Sequence, residues 1–342
     1  METCGGGYSP AMQLPGPRGP VSDAVITALR TGESPRTVTV RGGVGILGDD
    51  DVQLGLWVMH ELHYAGFEDA VGDREWDPDL LALRNRIGER FEAALRETTV
   101  DRITAAREAA DEVPDQIFAM TKDEGGPSLA AYLHRVADRE QYAEFMMHRS
   151  ITQLKESDAA GWALPRLRSG AKAVLAELLY DEYGGGRPTY IHSRLYAEAL
   201  VGCGLDPDYG RYADRLPGPS LAADNVSTYL GLHHRLRGAA VGHLAAFEAT
   251  SSLPCRKLSG GAERLGHPVE VRRYWDEHVE ADAVHEQLAV RGICGSLVSD
   301  APDLADDVLF GAAACLEIEE RFGAHLLDAF EAGRSSLREA SA

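Results

Sequence analysis

Apolar residues recur at helical spacing along most of the chain. Over 77–98, DPDLLALRNRIGERFEAALRET sets Leu80, Leu81, Leu83, Ile87, Phe91 and Leu95 on one stripe. Pro78 stands just inside the start of that segment, where its missing N–H leaves nothing unpaired. The same period predicts helices over 50–65, 113–121, 128–136, 141–158, 169–183, 190–203, 219–250, 268–292 and 304–332. A run of Asp opens the 50–65 segment and suits the positive end of a helix dipole. Gly/Pro clusters at 184–188, 206–210 and 216–219, and SGG at 259–261, read as punctuation. β-branched alternation at 36–40 (RTVTV) predicts one short strand. Before it, Gly and Pro clusters leave room for one short helix at 21–30. The expectation is an all-α protein, with a flexible N-terminal arm over 1–45 and a single helical domain over 46–335.

Composition narrows the function classes. The 342 residues carry 34 Lys+Arg against 54 Asp+Glu, a net charge of −20, and 44% are hydrophobic. That balance fits a folded domain and argues against nucleic acid or an anionic membrane as partner, since both call for a basic surface. No apolar run reaches the ~20 residues of a membrane helix, and METCGGGYSPAMQLPGPRGP lacks a signal-peptide plan. Cys4, Cys203, Cys255, Cys294 and Cys315 are scattered and odd in number, as expected of reduced cytoplasmic thiols. The expected partner is a small molecule; an external electron donor and a homodimeric state are compatible with this picture.

The sharpest chemical pattern is RRYWDEHVEADAVHEQL. His278, Asp282 and His285 fall at i, i+4 and i+7, so Asp282 and His285 lie about 40° and 20° to either side of His278. The two imidazoles are about 10.5 Å apart along the axis. That separation suits two ions about 3.5–4 Å apart better than one; the plainer reading is the polar face of an exposed helix. In LAELLYDEYGGGRPTYIHSRLYAEAL, Glu177, Asp181 and Glu182 crowd a helix C-terminus, where carboxylates oppose the dipole and a cation would compensate. The glycines that follow let Glu182 and His192 face one centre; a solvated helix end with a Gly turn is the commoner object. Glu248 stands among small and apolar neighbours in AVGHLAAFEAT and calls for a buried partner. Glu156, in SITQLKESDAAGW, carries a weaker version of that signal.

The set Glu156, Glu182-x9-His192, Glu248 and His278-x3-Asp282-x2-His285 resembles the ligand pattern of the heme-oxygenase-like diiron oxidases and oxygenases. The resemblance covers roughly 50–330, with its ligand core at about 150–290. It implies a heme-oxygenase-like helical bundle that uses no heme, two Fe(II) ions, and O2 as cosubstrate. It further implies oxidation of a small substrate in specialised (natural product) metabolism, a free amino acid or related carboxylate. N-oxygenation, desaturation, C–H amination or cyclisation, and oxidative C–C cleavage all fall within it. The metal ligands would be Glu156, Glu182, His192, Glu248, His278, Asp282 and His285, with no catalytic residue beyond them. Glu182, His192, His278 and His285 would be terminal, and Glu156, Glu248 and Asp282 flexible or bridging. Four carboxylates balance two ferrous ions, and mixed carboxylate–imidazole shells suit iron. None of the twelve histidines has Glu three residues before it, which disfavours a ferritin-like site. Two other readings predict no iron: a noncatalytic acidic helical partner-binding protein, and a cofactor-free enzyme on the same bundle.

Other clusters are weaker. His60, Glu61 and His63 lack the zinc-protease spacing and read as packing or pocket residues. His233 and His234 point about 100° apart. Glu317, Glu319, Glu320 and His325 read as a solvated face, with a reserve site as the sharper option. Arg149, Arg187 and Arg194 flank the ligand segments and are candidates to clamp a substrate carboxylate.

Overall fold

The computed structural model describes residues 12–122 and 128–339, and for Glu280, Asp282 and Ala283 the backbone alone. Its helices of seven or more residues are α1 (Pro20–Thr31), α2 (Asp50–Glu61), α3 (Pro78–Ala109), α4 (Val113–Thr121), α5 (Leu129–Arg135), α6 (Arg139–Gln153), α7 (Ser169–Glu182), α8 (His192–Gly202), α9 (Gly218–Leu232), α10 (Arg237–Arg264), α11 (Val269–Gln287) and α12 (Ala305–Glu331), with turns and shorter helical pieces between them. A π-helical stretch, Leu288–Gly295, continues α11 and packs against α7. Among the described residues there is no strand, only one isolated bridge between Met12 and Phe67, so residues 36–40 are extended without a ladder partner. No helix among them is long and apolar enough to cross a membrane.

The Asp run at 49–51 does three jobs. Asp49 caps α2 by accepting from the Asp51 and Val52 amides at 3.0 and 2.9 Å. Asp50 accepts from Gly218 N at the start of α9 and pairs with Arg338. Asp51 reaches across to α1, accepting from Val21 N and Ser22 N at 2.9 and 2.7 Å. With Val21, Val25, Ile26 and Leu29 buried against α2, the expected arm is, over 12–31, part of the core. Residues 1–11 lie outside the described residues.

Other helix limits move for local reasons. α3 runs past the Thr98–Val100 stretch because Thr99 Oγ1 turns back onto Leu95 O at 2.8 Å, satisfying the hydroxyl within the helix. The single helix expected at 219–250 is two: His233 is extended, its Nδ1 meets Tyr229 O at 2.7 Å, and Arg166 donates to the last-turn carbonyls of Gly231 and Leu232. Gly260 and Gly261 are no break; they sit inside α10, where a Cβ on Gly261 would lie 2.8 Å from Leu133 O of α5.

Two apolar clusters form the interior. α10 contributes Leu244, Ala245 and Ala246 to one and Cys255 and Leu258 to the other, and Glu248 lies between them on the chain. On the α3 side, Tyr229, Arg235 and Arg96 converge on Glu92. Burial alone would raise that carboxyl, but these donors hold its pKa down to about 2. A depressed folded-state pKa stabilises above the unfolded value, and the contribution fades as pH falls from about 4.3 toward 2. Glu92→Gln is therefore expected to lower stability by about 2 kcal/mol at pH 7 and by much less at pH 2.5, as measured by urea unfolding at both.

Candidate metal centre

Glu182 is the last residue of α7 and is buried. Gly184, Gly185 and Gly186 follow with φ of 79°, 59° and 78°, values that L side chains rarely adopt. A Cβ on Gly184 would lie 2.7 Å from Ile191 N. This glycine turn folds the chain back on itself and sets His192, the first residue of α8, beside Glu182: Nδ1 lies 3.1 Å from Oε2.

Helix α6 ends at Gln153, five residues before the expected limit, so Glu156 stands in a turn and not on a helix. The turn closes through Lys155 N→Thr152 O at 3.2 Å and Asp158 N→Lys155 O at 3.1 Å, with Ser157 at φ 69°. Three successive side chains then face three ways. Lys155 reaches buried Glu61 and Asp224 at 2.5 and 2.9 Å. Glu156 Oε1 lies 3.4 Å from His278 Nε2. Ser157 Oγ donates to Glu182 Oε2 at 2.9 Å.

From α11, His278 and His285 point inward and are 5% and 1% exposed, which removes the exposed-face reading for both. His278 Nδ1 donates to Tyr274 O at 2.8 Å, so the neutral ring keeps its lone pair on Nε2, toward Glu156. His285 Nδ1 lies 3.2 Å from Glu182 Oε1 and 3.5 Å from Glu248 Oε2. Asp181 Oδ2 approaches the far nitrogen of His285 at 3.6 Å from an exposed position. The side chain of Asp282 lies outside the described residues.

Six side chains thus fall into two triads, Glu156–His192–His278 and Glu182–Glu248–His285, each offering ligand atoms within 4.8 Å of one another. Glu182 belongs to both neighbourhoods, with one oxygen toward His192 and the other toward His285. Among the described side chains, the carboxylate at the end of α7, expected to be a terminal ligand, turns one oxygen toward each triad.

Electrostatics favour a cation here. Burial opposes charge on Glu182, yet the flanking imidazoles push its pKa well down. Burial lowers His285, but Glu182 and Glu248 outweigh it and carry the imidazole to about 11. Burial keeps Glu248 raised. His192 Nδ1 and His285 Nδ1 are buried without an aligned hydrogen bond, although carboxylate oxygens stand 3.1–3.5 Å away. Buried imidazoles packed against carboxylates at these distances are groups that could hold a metal ion.

A model of the family described as iron-containing redox enzyme matches residues 143–320, just over half of the chain, and spans both triads. The chain belongs to that family. The all-helical, heme-oxygenase-like fold expected from the sequence is the fold observed. Over 128 residues the chain is 30% identical to nitrosourea synthase of Streptomyces achromogenes subsp. streptozoticus, a match covering 37% of this chain and 27% of that enzyme. The chain therefore spans about a quarter of the relative's length. Two crystal structures of a CADD-like protein of unknown function from Nostoc punctiforme superpose with TM-scores of 0.49 and 0.47. They are 15% and 16% identical to this chain, covering 65% and 68% of it and 95% and 97% of their own chains.

Several supporting residues had only faint sequence signals. Tyr274 precedes His278 by one helical turn, and its hydroxyl contacts Glu156 Oε2 at 3.1 Å and Gln153 Nε2 at 2.8 Å. Gln153 Nε2 also donates to Glu156 Oε1 at 2.9 Å. The weaker clusters resolve into other networks. His60 meets Asn225 Oδ1 at 2.9 Å and His63 meets Glu75 at 2.9 Å. Glu317, Glu319 and Glu320 pair with Arg321, Arg149 and Arg102, and His325 meets Ser336 O, so no reserve site forms. Arg187 and Arg194 are exposed, while Arg149 lines the cavity beside the triads.

Proposed function

We propose that this chain is a nonheme diiron oxidase or oxygenase that uses O2 to oxidise a small organic substrate, a free amino acid or related carboxylate, in specialised metabolism. The observation that carries the reading is the placement of Glu182 between two His-bearing triads. One Fe(II) would be held by Glu156, His192 and His278, the other by Glu182, Glu248 and His285, with Asp282 as the seventh candidate ligand. When bound, the iron pair supplies electrons to dioxygen. The protein fixes the ligands: Tyr274 and Gln153 orient Glu156, Ser157 orients Glu182, and the Tyr274 carbonyl sets the His278 tautomer. A cavity of about 100 Å³, lined by Glu156, Glu182, Glu248 and His278, gives a substrate access to the pair. The imidazoles are committed to carboxylates, so no heme is proposed.

Anaerobic ferrous loading should give about two irons per chain, followed by O2 consumption on stopped-flow mixing with candidate amino and fatty acids. One zinc, or no metal, would end the proposal, and the noncatalytic and cofactor-free readings both predict that result. Tyr274→Phe removes the hydroxyl that steadies Glu156 and should leave the fold intact. It is expected to weaken iron affinity about 10–100-fold, read from competition with a ferrous chelator.

A further inference from the structure

Two cavities meet at Arg149 and Glu319. The inner one, about 100 Å³, adjoins the triads. The outer one, about 590 Å³, is walled by Phe145, Phe247, Trp275, Leu316 and Phe322. Arg149, Glu319, Phe247 and His278 line both. At the junction Arg149 donates through Nη1 and Nη2 to the two oxygens of Glu319 at 2.9 and 2.5 Å, with its guanidinium 4.2 Å over the Phe322 ring.

That fork uses two of the five guanidinium N–H groups, and three remain. Glu319 likewise keeps lone pairs. His243, also on the inner cavity, finds no hydrogen-bond partner among the described residues. Burial depresses its pKa to about 4, so near neutral pH it offers one donor and one acceptor. As structural glue a largely buried ion pair is a poor choice, because apolar replacements of similar volume often serve as well or better. A pair whose unused donors and acceptors face a junction between cavities is instead matched to a ligand bearing both charges.

We propose that the Arg149–Glu319 pair anchors a zwitterionic amino-carboxylate head group, Arg149 taking the carboxylate and Glu319 the ammonium, with an apolar side chain lying in the outer cavity. The assignment rests on reading the adjacent triads as the oxidation site. It makes Arg149 and Glu319 specificity determinants and not metal ligands.

The test is calorimetric binding to the full chain, loaded anaerobically with ferrous iron, of four near-isosteric probes: L-norleucine, hexanoate (no ammonium), pentylamine (no carboxylate) and L-lysine (charged tail). Norleucine should bind about tenfold or more tighter than each of the others. Glu319→Gln should weaken norleucine about tenfold and leave hexanoate unchanged. In the double variant Arg149→Gln/Glu319→Gln, which leaves no unpaired charge, discrimination against hexanoate and pentylamine should vanish while iron content and the unfolding midpoint hold. The proposal is overturned if hexanoate, pentylamine or lysine binds as tightly as norleucine. It is equally overturned if none of the four binds, if norleucine keeps its advantage over hexanoate in folded Glu319→Gln, or if it keeps its advantage over hexanoate or pentylamine in the folded double variant. A chain that loads no iron defeats the oxidase reading; one that loads iron and treats the four probes alike defeats only this one.

Discussion

Glu182→Ala is expected to abolish iron-dependent O2 consumption and to lower iron content from about two ions per chain to about one or fewer. Among the described side chains this carboxylate joins the two triads, its oxygens lying 3.1 Å from His192 Nδ1 and 3.2 Å from His285 Nδ1. Removing it takes one anion from between two imidazoles of opposite triads and leaves the Ser157 hydroxyl without its acceptor. His285→Ala should also end O2 use, but it touches one triad alone and should spare iron at the other. His63→Ala, at a residue bound to Glu75 and Arg84, should keep the iron content of the parent. Metal analysis of the three variants side by side reads the difference. Equal loss in Glu182→Ala and His63→Ala would point to general unfolding and not to the site.

The second large effect is on stability. Helices α10 and α12 touch backbone to backbone. A Cβ on Gly311 would run into Ala239 O and one on Gly242 into Val308 O, in both cases against main chain that has no rotamer with which to yield. Gly311→Ala should therefore cost about 3 kcal/mol, lowering the unfolding midpoint by about 5 °C, against the usual gain of replacing a helical glycine with alanine. Gly333→Ala is the contrast. It sits past the end of α12 with nothing near its Cβ position, so its φ of 64° is the only source of strain. Because α10 carries Glu248, the Gly311 variant is also expected to bind iron more weakly, which chelator competition would show. If it unfolds like the parent, the close approach of the two helices is not what holds them.

The site was legible where its residues follow a helical period or break one. His278 and His285 stand on a stripe that its neighbours mark as buried, and Glu248 is a charge on an apolar helix; both patterns lie within a few residues. Glu182 and His192 could be linked because a glycine run sits between them. Less legible was anything set by partners far along the chain. Glu156 was assigned to a helix because its spacing continues that of α6, whereas the turn is drawn aside by Lys155, whose partners Glu61 and Asp224 are 94 and 69 residues distant. That Glu182 turns one oxygen toward each triad depends on side-chain direction, which spacing does not carry. The N-terminal stretch read as an arm because Gly and Pro dominate it, yet Asp51 caps its helix from a neighbouring element. The break at 233 depends on Arg166, more than sixty residues upstream.

The turn at 155–157 has a bearing on how this site can be copied or changed. A helix presents a given direction only once in about 3.6 residues, so a ligand on a helix survives transplantation if its phase is kept. Lys155, Glu156 and Ser157 point in three directions within one turn. Adding or deleting a single residue there shifts all three at once, although loops elsewhere usually tolerate length changes. Grafting the site onto another bundle would thus require moving 153–158 as one block together with Glu61 and Asp224. Length variation among natural relatives should be scarce at this loop and freer at 206–210.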